Sequence, residues 1–172
     1  MNILGIIALL ALLGGEGQVV RVQESDTEQA SLRGIIGIHV MIGKIPAELA
    51  QAGVIDVELE AEVELRLKKA GIKVLEQREA LSLPGQPIFF IQIGGAKVAD
   101  LPVYAVTILG ALSQQVTLER DSTQKCTAHT WSLSGTTAAG TQVLNQKIKA
   151  AAAALTDQFV KDYLSVNPRP HK

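Results

Sequence analysis

The segment from Val54 to Leu75, VIDVELEAEVELRLKKAGIKVL, constrains the fold most, because its pattern fits a strand as well as a helix. Its apolar residues alternate as in a strand, but in a helix four of them share one stripe about 80° wide. These four are Leu59, Val63, Leu67 and Ala70. Acidic residues occupy the first half of the segment and basic residues its end, which is the order that the helix dipole favours. With Gly71 as a stop, the segment is predicted to be a helix over 56–70 that buries this stripe.

Read as a helix, this segment carries a second, weaker apolar strip on its other side. The strip consists of Val57, Ala61 and Leu65, and we call it the outer strip. Glu58, Glu62 and Lys69 are expected to be exposed. A helix that packs on a sheet through one stripe leaves a second strip without a use in its own domain. The outer strip is therefore a candidate contact with another chain, with residues 43–53 as the alternative cover.

The N-terminal residues predict export. Residues 3–13 form an apolar run that only Gly5 interrupts. The run is shorter than the roughly 20 residues that a membrane-spanning helix needs, and it is typical of the core of a secretory signal peptide. A signal peptide is therefore predicted over residues 1–15, with a retained membrane anchor or a buried element as alternatives. The polar residues 16–32 are predicted to be a flexible tail, and the protein to be periplasmic or secreted.

The rest of the chain alternates between strand-like and helix-like segments. Strands are predicted at 34–42, 72–75, 87–93, 102–118 (with a bend or bulge at Gly110) and 126–134, followed by a flexible connection at 135–141 and a long helix at 142–164. The order β-α-β-β-β-β-α predicts one α+β domain over 33–166, followed by a tail over 167–172. The expected architecture is a two-layer sandwich, in which a mostly antiparallel five-stranded sheet carries two helices on one face. Hydroxyl and amide side chains in the last two strands predict that the other face is wetter.

No motif for a defined chemistry is present, so the candidate site residues rest on position alone. His129 and Trp131 are predicted to share one face of the strand 126–134. They would pack in the core if that face looks toward the helices, which is the favoured alternative, and they would contact a ligand or a partner if it looks outward. Cys126, the only cysteine, and His129 would point to opposite faces and could not share a metal ion. We expect no metal site, no cofactor and no catalytic residue. A net charge of −1 also argues against nucleic acid as a partner.

Three parts of the sequence together resemble a group of uncharacterised exported bacterial proteins. They are VELRLKKAGI at 63–72, the strand with Trp131, and FVKDYLSVNP at 159–168, and the resemblance covers about residues 34–168. More loosely, the order of elements is similar to small α/β domains of envelope proteins, such as the amino-terminal domain of TolB and the curli-secretion lipoprotein. That resemblance implies a fold and contacts with other proteins, but no activity. This chain lacks their lipid-attachment cysteine or propeller.

The expected function is that of an exported, non-enzymatic binding or assembly module of the bacterial cell envelope. One alternative is a small-ligand or lipid carrier, which requires a large apolar cavity between the helices and the sheet. Another is a hydrolase that uses His129, which requires a nucleophile within hydrogen-bonding reach of that residue. The expected partner is another envelope protein or a second copy of the chain. Contact with a membrane is expected only through the N-terminal segment, if it stays uncleaved.

Overall fold

The structure, a computed structural model, describes residues 26–168 and folds them into a mixed four-stranded sheet with five helices. The strands are β1 (His39–Ile42), β2 (Ile88–Lys97), β3 (Val103–Leu118) and β4 (Asp121–Gly140). The helices are α1 (Asp26–Ala30), α2 (Ala47–Gln51), α3 (Asp56–Lys69), α4 (Gln77–Leu81) and α5 (Leu144–Val166). The strand order is β1-β2-β3-β4, with β1 parallel to β2 and the other pairs antiparallel. The predicted α+β class is confirmed.

The ambiguous segment is a helix, as predicted. Leu59, Val63 and Leu67 are fully buried, whereas Ala70 at the end of α3 is half-buried. Gly71 adopts a φ of +77°, and its N–H donates to the carbonyl of Lys68 at 2.9 Å. The next residue, Ile72, donates to the carbonyl of Leu67, which completes a Schellman cap. Two ion pairs, Glu62–Arg66 and Glu64–Lys68, span one turn each along the exposed side.

The predicted mostly antiparallel sheet of five strands with two helices is wrong in its counts, because the described residues form four strands and five helices. Residues 72–75 form no strand of the sheet, because only Val74 pairs, in a single parallel bridge with Ile38, before the chain turns into α4. The strand predicted at 34–42 is shorter, and it pairs in parallel with β2 because α3 lies in the crossover between them. The strands at the other end are longer than predicted. Residues 94–97 extend β2, and the predicted connection 135–141 is largely part of β4.

Helices α1, α2, α3 and α5 pack on one face of the sheet and enclose the apolar core. The core residues of the sheet come from alternate positions of β1, β2 and β3, among them Val40, Phe89, Ile91, Ile93, Ile108 and Leu112. Gly95 continues this face of β2, and a Cβ there would lie 2.8 Å from the carbonyl oxygen of Ala105 and 3.3 Å from Leu49 of α2. A side chain at Gly95 would therefore separate α2 from the sheet. Gly110 lies beneath α5 within β3, and the pairing with β4 shifts register after Leu112, so a bulge predicted at Gly110 is not found there.

An aromatic cluster fills the space between α5 and the sheet. Phe159 stacks on Phe89 with ring centroids 4.4 Å apart, and its ring meets the edge of Trp131 at 5.0 Å. Tyr163 continues the cluster at 6.3 Å from Phe159. Burial raises the pKa of Tyr163, so its hydroxyl stays protonated and donates to the carbonyl oxygen of Ile35. The lipid- or ligand-carrier alternative requires a large apolar cavity between the helices and the sheet. In the described residues, aromatic rings occupy the space between α5 and the sheet instead.

The first described residues are tied to the last helix. Residues 26–32 were predicted to belong to a flexible tail, but they form α1 and a turn in which Leu32 is fully buried. Asn167 accepts a hydrogen bond from the N–H of Gly34 at 2.7 Å and donates to the carbonyl of Leu32 at 2.9 Å. An apolar anchor and polar contacts therefore hold a stretch whose composition predicts disorder. The predicted signal peptide at 1–15 and the tail before residue 26 lie outside the described residues.

Candidate binding surface: the open sheet face and the edge of strand β4

A bulge in β4 separates the two residues that were predicted to share a face. Leu112 pairs with Trp131, but the next residue of β3, Ser113, pairs with His129, so Thr130 is an extra residue in β4. Successive residues of β3 point to opposite faces of the sheet. Trp131 therefore faces the helices, and His129 faces away from them. The prediction of a shared face is wrong because a strict period of two cannot show an inserted residue.

Trp131 belongs to the core and not to a contact surface. The side chain is 2% exposed, and its Nε1–H donates to Oδ2 of Asp162 at 2.9 Å. Asp162, on α5, is 1% exposed and also accepts hydrogen bonds from Gln29 at 3.2 Å and from Gln158 at 2.9 Å. This carboxylate thus joins α1, β4 and α5. Trp131 is removed from the candidate contact residues for this reason.

His129 is exposed, and a serine lies within its reach. Its Nδ1 is 2.9 Å from Oγ of Ser113, the residue opposite it on β3. Ser113 is 8% exposed. Within residues 26–168, no carboxylate lies within hydrogen-bonding distance of His129, so the third member of a triad is not found there. The pair offers a base next to a hydroxyl group on a flat sheet surface.

The outer strip of α3 is exposed, as a contact with another chain requires. Val57 is 69% exposed, Leu65 is 46% exposed, and Ala61 between them is also open to solvent. Residues 43–53 therefore do not cover it. The strip spans roughly 12 Å along the helix, which is a small surface by the standard of protein interfaces.

The sheet face opposite the helices, which we call the open face, changes in character from β1 to β4. Met41 on β1 and Phe90 on β2 give this side of the open face an apolar surface. Along β4 the open face carries small exposed side chains, namely Ser132, Ser134, Thr136 and Ala138. The prediction that the second face is wetter therefore holds best along β4.

β4 is a border strand whose outer backbone faces no neighbouring strand of the described chain over residues 132–140, and we call this stretch the β4 edge. The N–H of Thr141 donates to Pro102 beside β3, so the odd residues from 133 to 141 bond toward β3 and the even residues point outward. Among the described residues, the only backbone hydrogen bond to these outward groups is at the far end, where the N–H of Val143 donates to the carbonyl of Gly140 at 3.1 Å. Just before residue 132, the hydroxyl of Ser31 donates to the carbonyl of Thr130 at 3.0 Å, so the carbonyl at the bulge has a partner.

The β4 edge lacks the usual protection of a border strand. Natural edges carry lysine or other charges, prolines or covering elements that prevent pairing with another chain. From Cys126 to Gly140 the sequence CTAHTWSLSGTTAAG contains no Asp, Glu, Lys, Arg or Pro. The sequence prediction missed this edge because GTTAAGT suggested a flexible connection. Its alternating threonine and alanine residues were the only signal for a strand.

The described residues contain neither a metal site nor a membrane-spanning helix. Residues 26–168 hold no group of three or more His, Cys, Asp or Glu side chains that could coordinate a metal ion. Cys126 is exposed, and it lies on the opposite face of β4 from His129, as predicted. No helix within the described part of the chain is both long and apolar enough to span a membrane.

Comparison with known proteins gives similarities of shape and none of sequence. No protein-family model matches the chain, and no curated protein matches it. One similar solved structure is a provisionally assigned lipoprotein from Caulobacter crescentus CB15, with 10% sequence identity and a TM-score of 0.38. The alignment covers 84% of this chain and 98% of that protein. Another is a minor lipoprotein from Acinetobacter baumannii, with 12% sequence identity and a TM-score of 0.35. That alignment covers 78% of this chain and 96% of that protein. We transfer no residue role from either protein.

Proposed function

We propose that this chain is a non-enzymatic binding or assembly module of the bacterial cell envelope, and that it binds a protein partner by adding a strand at the β4 edge. The outer backbone of residues 132–140, which faces no neighbouring strand among the described residues, carries this proposal. An extended segment that pairs with a sheet edge gains affinity from main-chain hydrogen bonds and specificity from alternate side chains. The small residues on the open face of β4 leave room for the side chains of an added strand.

The proposed location rests on the sequence. The apolar run at residues 3–13 is typical of a secretory signal peptide, which would deliver the domain to the periplasm or the exterior. The partner that we propose is therefore another envelope protein, or a second copy of the chain in the same compartment. The outer strip of α3 is a second, smaller surface that the same experiment can test.

A photo-crosslinking amino acid at Ala138 is expected to give a discrete covalent adduct with a protein partner in living cells. Ala138 lies within the β4 edge and is exposed on the open face, and Leu81 on α4 is a control that is 47% exposed. We expect an adduct from position 138, none from position 81, and loss of the adduct in the Thr136→Pro variant. Proline at 136 removes only an outward N–H, so the pairing of β4 with β3 persists. An adduct from Ala61 alone would move the contact to α3 and contradict the proposal.

A second candidate function is a hydrolase that uses Ser113 and His129, because Oγ and Nδ1 lie 2.9 Å apart. In this reading His129 is the base that activates the Ser113 hydroxyl. If the pair is a nucleophilic site, a fluorophosphonate probe labels the wild-type chain, and Ser113→Ala and His129→Ala abolish the labelling. Ser132→Ala is the matched control, because Ser132 is an exposed serine on the same face of β4. Absence of labelling in the wild type, or equal labelling of all variants, would exclude this function.

A further inference from the structure

The side chains of the β4 edge are complementary in size about Thr136, where an added strand would meet them. An antiparallel copy of the same stretch, centred on Thr136, places Leu133 opposite Ala139 and Gly135 opposite Thr137 on the helix side. A large residue thus faces a small one in each of these pairs. On the open face, the side chain of Thr136 would meet Thr136 of the second copy, and threonine pairs are favourable across strands.

We infer that the strand added to the β4 edge is β4 of a second copy of this chain, in antiparallel orientation about a twofold axis at Thr136. This inference rests on the proposed function and names the partner for the same edge. The axis would pass between the two sheets and perpendicular to them, so the helices of both copies would lie on one side of a continuous sheet.

The backbone supports pairing at this register. The N–H and C=O groups of the even residues from 132 to 140 point outward, and an axis at Thr136 brings even residues opposite even residues. Each such pair exchanges two hydrogen bonds, and since the carbonyl of Gly140 already accepts from the N–H of Val143, this gives about eight across the edge. An axis between two residues would instead bring outward groups opposite groups that already bond to β3. Hydrogen-bond parity therefore places the axis on a residue, and side-chain size selects Thr136.

Electrostatics favours a second copy over a charged partner. The β4 edge carries no charged side chain, so self-pairing opposes no like charges. An acidic or basic partner strand would find no complementary charge there. The bulge at Thr130, with Ser31 bonded to its carbonyl, ends the edge on one side, and the turn after Gly140 ends it on the other. In the antiparallel pair, the bulge of one copy would therefore lie beside the turn of the other copy at each end of the paired stretch. Since small side chains meet, we expect a Kd on the order of micromolar.

A cysteine placed at the axis tests this pairing. In the full chain with Cys126→Ser, Thr136→Cys is expected to give a disulfide-linked dimer as the major species under mild oxidation. Paired residues of this type lie about 5.5 Å apart between Cα atoms, which fits the distance that a disulfide spans. The control is Thr107→Cys, because Thr107 is the exposed β3 partner of Thr136 on the same face. In the dimer two copies of residue 107 would be roughly 14 Å apart, too far for a bond.

A charge exchange gives an independent test that requires no cysteine. Thr136→Lys and Thr136→Glu are each expected to sediment as monomers at concentrations where the wild type is dimeric, and their mixture to form a heterodimer. Equal cross-linking at 107 and 136, no cross-linking at 136, or dimers of the Thr136→Lys variant would overturn the inference. If these tests fail while Ala138 still cross-links to a different protein, the proposed function stands and only the second copy is excluded. If Ala138 gives no adduct either, both fail.

Discussion

Phe159→Ala is expected to lower the free energy of unfolding by about 3–5 kcal/mol, the largest effect of a single substitution that we predict. Phe159 is fully buried, stacks on Phe89 and meets the edge of Trp131. Its removal deletes the ring that links α5 to β2 and β4, and it leaves a cavity that rigid strands on one side cannot close. Urea denaturation followed by circular dichroism measures the loss.

Phe90→Ala is the matched control for this substitution. Phe90 follows Phe89 in β2, but its ring lies half-buried on the open face. We expect a loss of only about 1–2 kcal/mol, because less apolar area leaves solvent at this position on folding. Equal losses for the two variants would contradict the assignment of the core to the helix side of the sheet.

Asp162→Ala is expected to destabilise the protein by about 2–4 kcal/mol. The buried carboxylate accepts hydrogen bonds from Trp131, Gln29 and Gln158, and alanine would leave these donors without that acceptor. Thermal unfolding measures the effect, at roughly 2–4 °C per kcal/mol for a domain of this size. We also expect the α1 segment to exchange its amide hydrogens faster, because Gln29 is one of the residues released.

The same helix provides a control for Asp162. Asp157 lies one and a half turns earlier on α5, and its mostly exposed carboxylate pairs with Arg66 at 3.0 Å. Exposed ion pairs contribute little, so Asp157→Ala is expected to cost less than about 1 kcal/mol. If Asp157→Ala proved as damaging as Asp162→Ala, the buried hydrogen bonds would not be the source of the stability.

The sequence predicted the elements whose signals are local. α3 carries a buried stripe, a dipole-matched order of charges and a glycine stop, and all three lie within one segment. α5 follows an apolar period over many turns, and it was predicted to within two residues at each end. Such features need no partner elsewhere in the chain, which is why they could be read before the fold was known.

Features that depend on pairing could not be predicted in this way. Residues 72–75 have the composition of a strand, but only Val74 finds a neighbour. Residues 135–140 have the composition of a loop, yet they become a strand because the start of β3 pairs with them. The bulge at Thr130 places His129 and Trp131 on opposite faces of the sheet. The surface that we propose as the binding site depends on the pairing of β3 with β4.

The contacts between the beginning and the end of the domain have a consequence for the order of its assembly. Gln29 and Asp162, like Gly34 and Asn167, are 133 residues apart along the chain. Contacts of such separation form late, since the intervening chain must first be brought together. The domain therefore remains without its N-terminal closure until its last helix has been synthesised. If the chain is exported in an extended state, as proposed, this arrangement delays completion of the native structure until almost the entire chain is available on the far side.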